Sequence, residues 1–509
     1  MKKIVSAVLA LVLLLSALIA FLISCNHEPV EPPVVVVPPV SKLPSAIDYL
    51  PDEGFGGEYF HILSWTAEGQ TEVNSSWILW EEGDVADIDR ENELEQAVFV
   101  RNKWVEDTFD VIITQDYASV DATDGFDYAT LVRYNAKSGD DNYQLLILRS
   151  VDSVKLIKEG LYADLNEHTD YLHFDESWWD EASIEAFAMG SHRYVATSKM
   201  LVRDKGATSV VYFNETLASD YVDLPDFVDL AAGYEWTYAA MIESCEYVSF
   251  SGDGDDYMNS VYDHWGYEGG TEALYYLYNG TENRFAHMDE DGHVAYDFGL
   301  NDSTVEAMSD VLKYLMSPDY NSKTWQGDGE SMFYKGRALF KSGMIKDSAT
   351  ILQGMQDMYG ILPHPLYTLE QEHYSSLINP YHDSVLGIPE HAENKSMCAV
   401  VLEALSWRSQ YRSLGGRYEM GVDGYFRGAV YDSFACKCYG PQTMLNLILN
   451  SRSYDPGLYW DNDSGLHGEN GLPSLIGKNR YDIDGVWENF HEAVEKNIKE
   501  INAWVDAHE

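Results

Sequence analysis

The strongest constraint on the fold is the way the hydrophobic period changes along the first part of the chain. Glu58–Trp65 (EYFHILSW) is rich in aromatic and β-branched residues and reads as a strand. Between Glu91 and Asp107, the residues Leu94, Ala97, Val98, Trp104 and Val105 fall on one helical face. Asp110–Thr114 (DVIIT) reads as a second strand. Tyr143–Leu148 (YQLLIL) reads as a third, apolar enough to be covered on both faces. Strands alternating with helices at this spacing predict an α/β domain with a largely parallel sheet. Further helices are predicted where caps and stripes coincide. Ser303-Thr304-Val305-Glu306 fits a capping box, followed by a stripe of Val305, Met308, Leu312 and Leu315. Asn394 is placed to cap a helix carrying Met397, Val400, Val401, Ala404 and Leu405. A long amphipathic helix with Val486, Phe490, Val494, Ile498, Ile501 and Val505 closes the sequence. There is no internal repeat.

Composition narrows the function classes. The formal net charge is −51, from 33 Lys and Arg against 84 Asp and Glu. A field of that sign repels phosphate backbones and anionic lipid, so nucleic acid is not expected as a partner. The abundance of acids also means that an isolated Asp or Glu pair carries almost no catalytic information. Aromatics are frequent, with 36 Tyr and 13 Trp. Of the 5 cysteines, Cys245, Cys398, Cys436 and Cys438 have no spacing that suggests a disulfide framework. Cys436-Lys437-Cys438 lacks a second Cys or His pair, so no metal role is expected there.

The N-terminus reads as an export signal. Lys2 and Lys3 precede an apolar run from Ile4 to Ile23 that only Ser6 and Ser16 interrupt. A run of about 20 residues is also long enough to span a bilayer, which leaves an uncleaved anchor as the alternative. Leu22-Ile23-Ser24-Cys25 resembles the lipobox of bacterial lipoproteins. The resemblance implies that residues 1–24 are removed and that Cys25 is lipidated. Both readings put the remaining chain outside the cytoplasm, anchored to a membrane. Glu28–Pro39 (EPVEPPVVVVPP) has the composition of a semi-rigid polyproline II spacer, so 25–54 is read as a tether. The folded part is expected to begin between Ile47 and Tyr59. Roughly 460 residues then remain, enough for two or three domains.

Six segments, in order, resemble the family 1 extracellular solute-binding proteins of ABC importers, the sugar-binding group. They are Lys158–Leu165 (KEGLYADL), Val211–Leu217 (VYFNETL), Tyr234–Tyr238 (YEWTY), Phe333–Phe340 (FYKGRALF), Tyr359–Pro365 (YGILPHP), and Gly387-Ile388-Pro389 running on to the helix around Ala404. The resemblance spans about Glu58 to Trp460. It implies two α/β lobes of the periplasmic-binding-protein type, joined by a hinge, with a ligand cleft between them. The lobes would be 55–165 plus 384–428 and 166–383 plus 429–509. It also implies a carbohydrate ligand, a membrane permease pair as partner, a monomeric state, and no catalysis. The segments themselves carry fold features. Gly336 stands where a chain reversal needs a glycine, and Pro363 and Pro365 force an extended exit from a strand.

A sugar site needs flat faces for the ring and planar polar groups for its hydroxyls. Trp65 ends the first strand. Arg149 and Asp152 follow the third, at the carboxyl ends where open α/β sheets bind ligands. Trp265 lies in the Tyr262–Gly266 stretch, read as a loop with stacking and polar groups together. Trp236, Tyr194, Trp325 and Asp383 complete the candidate set. Packing is the competing reading for each tryptophan, and an internal ion pair for Arg149.

Other classes find less support. H-E-x-x-H and G-x-S-x-G are absent from the sequence. Gly471–Asn479 (GLPSLIGKN) has one residue too many between its glycines for a phosphate loop, and Asn479 stands where Ser or Thr should hold magnesium. Asp253–Asp256 and Asp461–Gly465 read as acidic turns rather than calcium loops. No cofactor is expected. A surface glycan adhesin without a transporter, or a glycoside hydrolase using two carboxylates, remain the competing functions.

Overall fold

The computed structural model describes residues 47–66, 93–119, 127–255, 257–258, 262–300, 302–322, 331–352, 354–414, 417–420, 441–461, 464–478 and 482–509. Cys25, the 28–39 tether and Trp325 lie outside them, as do Cys436 and Cys438. The first third of the chain gives β1 (Glu58–Thr66), α1 (Glu93–Phe109), β2 (Val111–Ser119), α2 (Tyr128–Ser138), β3 (Leu145–Leu148) and α3 (Ser150–Lys158). Next come β4 (Ser209–Asn214), α4 (Tyr238–Val248), β5 (Trp265–Glu268), α5 (Thr271–Gly280), α6 (Asp302–Met316), β6 (Ala338–Met344) and β7 (Tyr359–Leu362). The last are β8 (Val385–Gly387), α7 (Lys395–Gln410), α8 (Pro441–Asn450) and α9 (Ile483–His508).

Two four-stranded sheets organise these elements. The first has the order β8-β3-β1-β2, with β1 parallel to both neighbours and β8 antiparallel to β3. The second has the order β7-β4-β6-β5, with β4 antiparallel to β6 and β7, and β5 parallel to β6. Every residue of β3, β4 and β7 is buried, as unbroken apolar runs require when helices cover both faces of a sheet. Leu63, Leu146, Val154 and Leu156 belong to the core at the first sheet. Tyr212, Trp236, Leu312 and Phe340 belong to the core at the second.

Local chemistry sets the element ends. Asp127 caps α2 by accepting from the Thr130 amide, and Asn394 caps α7 by accepting from the Met397 amide at 3.1 Å. The capping box expected at Ser303 is displaced, because α6 already begins at Asp302 and Ser303 sits inside its first turn. Gly336 has φ 73°, a left-handed conformation that lets the chain reverse into β6. Trp265 opens β5 and pairs with Ala338, so the loop expected around it is a strand. No helix among the described residues is long and apolar enough to cross a membrane.

Three chain segments run side by side between the sheets. Residues leading into β4 pair with the segment before β8, through the Thr208–Ile378 bridge and the Asn379 amide bonded to the Ala207 carbonyl. Ser376 and Leu377 pair in parallel with Arg452 and Ser453. At these crossings the chain passes between the surroundings of the first sheet and those of the second.

A buried carboxyl ties the start of the described chain to α7. Glu403 has no exposed surface and accepts from Tyr49 Oη (2.5 Å), Trp178 Nε1 (3.1 Å), Trp179 Nε1 (3.0 Å) and the His173 amide (3.4 Å). Burial lifts its pKa to about 7 despite those four donors. The Tyr49 ring also stacks on His173 at 3.7 Å.

Candidate functional site

The site is built where β1 and β3 end beside the crossings. Both strands run the same way, so Trp65 and Arg149 emerge at one edge of the first sheet. Arg149 precedes the first turn of α3 and Asp152 lies within that turn. Arg149 Nε donates to Asp152 Oδ2 at 2.8 Å and to Tyr128 Oη at 3.1 Å, while the Tyr128 hydroxyl donates to the same carboxylate. The triad is partly open, with Arg149 and Asp152 side chains 18% and 21% exposed.

Asp383 fastens this edge to the crossing segment. Its Oδ1 accepts from the Ser150 amide at 2.9 Å, and its carbonyl accepts from Trp65 Nε1 at 3.0 Å. The Ser384 hydroxyl accepts from the same indole at 2.9 Å. Asp383 is fully buried, its Oδ2 has no hydrogen-bond partner among the described residues, and desolvation pushes its pKa up to about 8. Asp383 therefore acts from beneath the site.

The opposite wall comes from the second lobe and the crossings. Arg203 lies 4.2 Å from the centre of the Trp65 ring, and its guanidinium donates to the Trp65 carbonyl at 2.6 Å. Lys346 Nζ donates to His382 Nδ1 at 2.8 Å, which requires a neutral imidazole. Burial, then the charges of Lys346, Arg149 and Arg203, hold the His382 pKa down to about 3. His382 Nε2 stands 3.8 Å from Glu272 Oε1, in the first turn of α5. Protein surrounds Glu272 closely enough for desolvation to raise its pKa, yet 54% of its side chain is open to water. A carboxyl both enclosed and accessible lines a cleft. Tyr381, 45% exposed and within reach of the Arg149 and Asp152 charges, gives the cleft a flat aromatic surface.

The sequence-selected residues divide into groups. Trp65, Arg149, Asp152 and Asp383 come together in this cluster. Trp65 is only 4% exposed, however, because the Arg203 and Arg149 guanidiniums approach its ring to 4.2 Å and 5.7 Å. Its ring supports two cations and is not a bare platform for a sugar. Trp236 is wholly buried, packed on Phe227 and Phe340, with its indole donating to the Pro363 carbonyl at 3.0 Å. Trp265 is 4% exposed in the second core, and its indole N–H has no hydrogen-bond partner among the described residues. Tyr194 packs against Trp504 of α9, away from the cluster. Sequence reasoning missed Arg203, Lys346, His382, Glu272 and Tyr381. Nothing in the local sequence around them marks them out.

A groove of about 620 Å³ lies elsewhere, lined by Trp178, Asp180, Glu185, Lys199, Lys205 and Arg452 among others. None of Arg149, Asp152, Glu272, Tyr381 or His382 borders it. Two of its cations are engaged internally: Arg452 pairs with Asp180 at 2.7 Å and with Asp204 at 2.5 Å, and Lys199 donates to Gln410 at 2.6 Å. The strand-end cleft is the better candidate, because its polar groups are part-exposed and converge from both lobes. No group of three or more His, Cys, Asp or Glu side chains among the described residues is placed to hold a metal ion.

No protein-family model and no curated protein sequence matches this chain. Solved structures do match. An ABC substrate-binding protein from Listeria monocytogenes in complex with cycloalternan superposes with a TM-score of 0.51 at 12% identity, covering 88% of this chain and 98% of that one. A cyclo/maltodextrin-binding protein complexed with maltotetraose gives 0.52 at 12% identity, covering 87% and 97%. What is shared at such identity is the fold, a two-lobed solute-binding-protein architecture built over nearly the whole of both chains.

Proposed function

We propose that this chain is the capture component of an ABC importer, taking a carbohydrate into the interlobe cleft and passing it to a membrane permease. The observation that carries the reading is the cleft itself. Arg149, Asp152, Glu272, Tyr381 and His382 present part-exposed polar and aromatic groups from both lobes, beside three chain crossings. Such a wall supplies the planar hydrogen-bonding groups and the flat ring that sugar recognition uses. Crossings of this kind allow the lobes to close on a ligand by rotation. No bond in the solute is broken in this scheme. Lipidation of Cys25 would hold the body at the outer face of the membrane that carries the permease.

The test is a thermal-shift screen of the full chain against oligosaccharides, amino acids and peptides. A ligand at 100 times its dissociation constant adds about 2.7 kcal/mol to stability, a readable shift. A shift with a sugar class, together with a smaller radius of gyration in solution scattering, is the expected result. A shift only with peptides or amino acids would discard the carbohydrate assignment. Sugar binding without compaction would favour a fixed-face adhesin.

A further inference from the structure

We infer that α9 is a strap across the two sheets. Its first half is built into the surroundings of the second sheet, and its last turns clip onto the flank of the first, where they oppose rotation of one lobe against the other. This goes beyond the reading above and takes from it only the rotation of the lobes.

The helix has 26 residues, a rise of about 39 Å. Its first half is set in apolar surfaces. Ile483 and Val494 are buried in the core that holds Tyr212 and Phe340. Trp487 meets Phe298 edge-on at 5.6 Å, and Phe298 meets Tyr278 of α5 in the same way at 5.9 Å. α5 follows β5, which is an edge strand of the second sheet.

The last turns meet different partners. Ile501 and Val505 are buried in the core that holds Leu63 and Leu146. Trp504 packs edge-on against Tyr194 at 5.7 Å. Tyr194 leads into Ala196, whose amide and carbonyl both bond Leu386 of β8, so this segment flanks the first sheet. Polar contacts close the clip. His192 lies between Asp164 Oδ2 at 2.6 Å and the His508 carbonyl at 2.9 Å. The Ser191 amide donates to Glu509 Oε1 at 2.5 Å. Asp506 is 3.1 Å from His293, two residues from the place where the Gly292 carbonyl accepts from the Gly190 amide. Both groups facing His192 are acceptors, so its ring donates at both nitrogens and carries a positive charge at the negative end of the α9 dipole.

The two ends of the strap differ in kind. The first half is held by enclosed apolar surface. At the clip, Asp506, His508 and Glu509 are exposed, and exposed polar pairs are individually weak. A helix fixed at both ends opposes relative movement of its supports, and the weaker end yields first. Rotation of the lobes therefore loosens the clip, while the first half of α9 travels with the second sheet.

Small-angle scattering of the ligand-free full chain tests this. The parent is compared with His192→Ala/Glu509→Gln, with Trp504→Ala, and with Glu495→Gln as a control on the same helix. Both clip variants should show a larger radius of gyration and a broader distance distribution than parent and control, with parent-like helical circular dichroism. Hydrogen exchange should rise in the last turns of α9 and stay at the parent level around Ile483. Scattering profiles that superpose for the parent and both clip variants would overturn the inference. Exchange that rises equally along the whole of α9 would do the same, because the helix would then detach as one piece. If Trp504→Ala fails to fold, the His192→Ala/Glu509→Gln protein decides, since it removes no fully buried side chain. The measurement needs no ligand, so its outcome is independent of whether the thermal-shift screen finds a sugar.

Discussion

The guanidinium of Arg203 sits 4.2 Å from the centre of the Trp65 ring and donates to that residue's own carbonyl at 2.6 Å. One residue ends a strand of the first sheet, and the other begins the crossing into the second. Trp65 is thus a joint between the lobes, held on its other side by Asp383 and Ser384. Replacing it with Phe keeps an aromatic face but deletes the indole N–H. The expected cost is about 1–2 kcal/mol, since the Asp383 carbonyl and Ser384 hydroxyl lose their donor. Urea unfolding of Trp65→Phe against the parent checks the figure. Trp65→Phe should also weaken ligand binding, because Arg203 and Arg149 lose their better platform.

Trp236 and Trp265 should behave as core residues. Trp236→Ala is expected to destabilise by about 3–5 kcal/mol, the range for removing a large buried aromatic. Any loss of affinity should then follow the loss of folded protein. A Trp236→Phe variant that folds fully yet binds much less ligand would return Trp236 to the site.

Stability should fall as pH rises from about 6.5 to 8. Glu403 and Asp383 have folded pKa values raised to about 7 and about 8. For an acid with a raised folded pKa, the folded state holds its proton where the unfolded chain has released it. Stability is therefore lost between the unfolded and folded values as pH rises. His364, His382 and His467, held down to about 3, act in the opposite sense. Their contribution is intact above the ordinary histidine range and disappears as pH falls from about 6.5 toward 3. Above pH 6.5 the two acids act, joined in the same direction by His192, whose pKa the hydrogen bond to Asp164 raises. Melting temperatures across that window should decline, and Glu403→Gln should flatten the decline. An identical slope in parent and variant would remove Glu403 as its source.

Asn394→Ala should cost about 1 kcal/mol, the usual worth of an N-cap, because the Met397 amide loses its acceptor. Equilibrium denaturation reads this directly. Asn394→Asp should keep most of the stability.

Period and capping made much of the architecture legible. β3 was readable because a strand buried on both faces is apolar throughout, while β1, α1 and β2 were readable from aromatic and β-branched runs alternating with a helical stripe. Asn394 was readable because a side-chain cap is a local event in sequence. The capping box at Ser303 misled because Ser and Glu at that spacing also occur inside a first turn, and nothing local distinguishes the two cases. Trp265 misled because its neighbours Asp263, His264 and Gly266 look like loop residues. Gly266 is there for another reason: a Cβ would come within 2.4 Å of the Cys245 backbone, so α4 packs directly on β5. The cleft was half legible. Strand ends pointed to Trp65, Arg149 and Asp152, but Arg203, Lys346 and Glu272 reach it only through tertiary folding. In a chain this charged, no local pattern marks them out.

The first sheet takes its fourth strand, β8, from a part of the chain made long after β1 to β3, and α7 packs along α1 from later still. Non-local pairings of this kind are slow to form, because a long loop must close before any contact repays it. During synthesis the first three strands therefore wait with one edge open and one helix face bare. That delay keeps the first sheet unfinished until the chain beyond residue 387 has been made, although every strand of the second sheet precedes it.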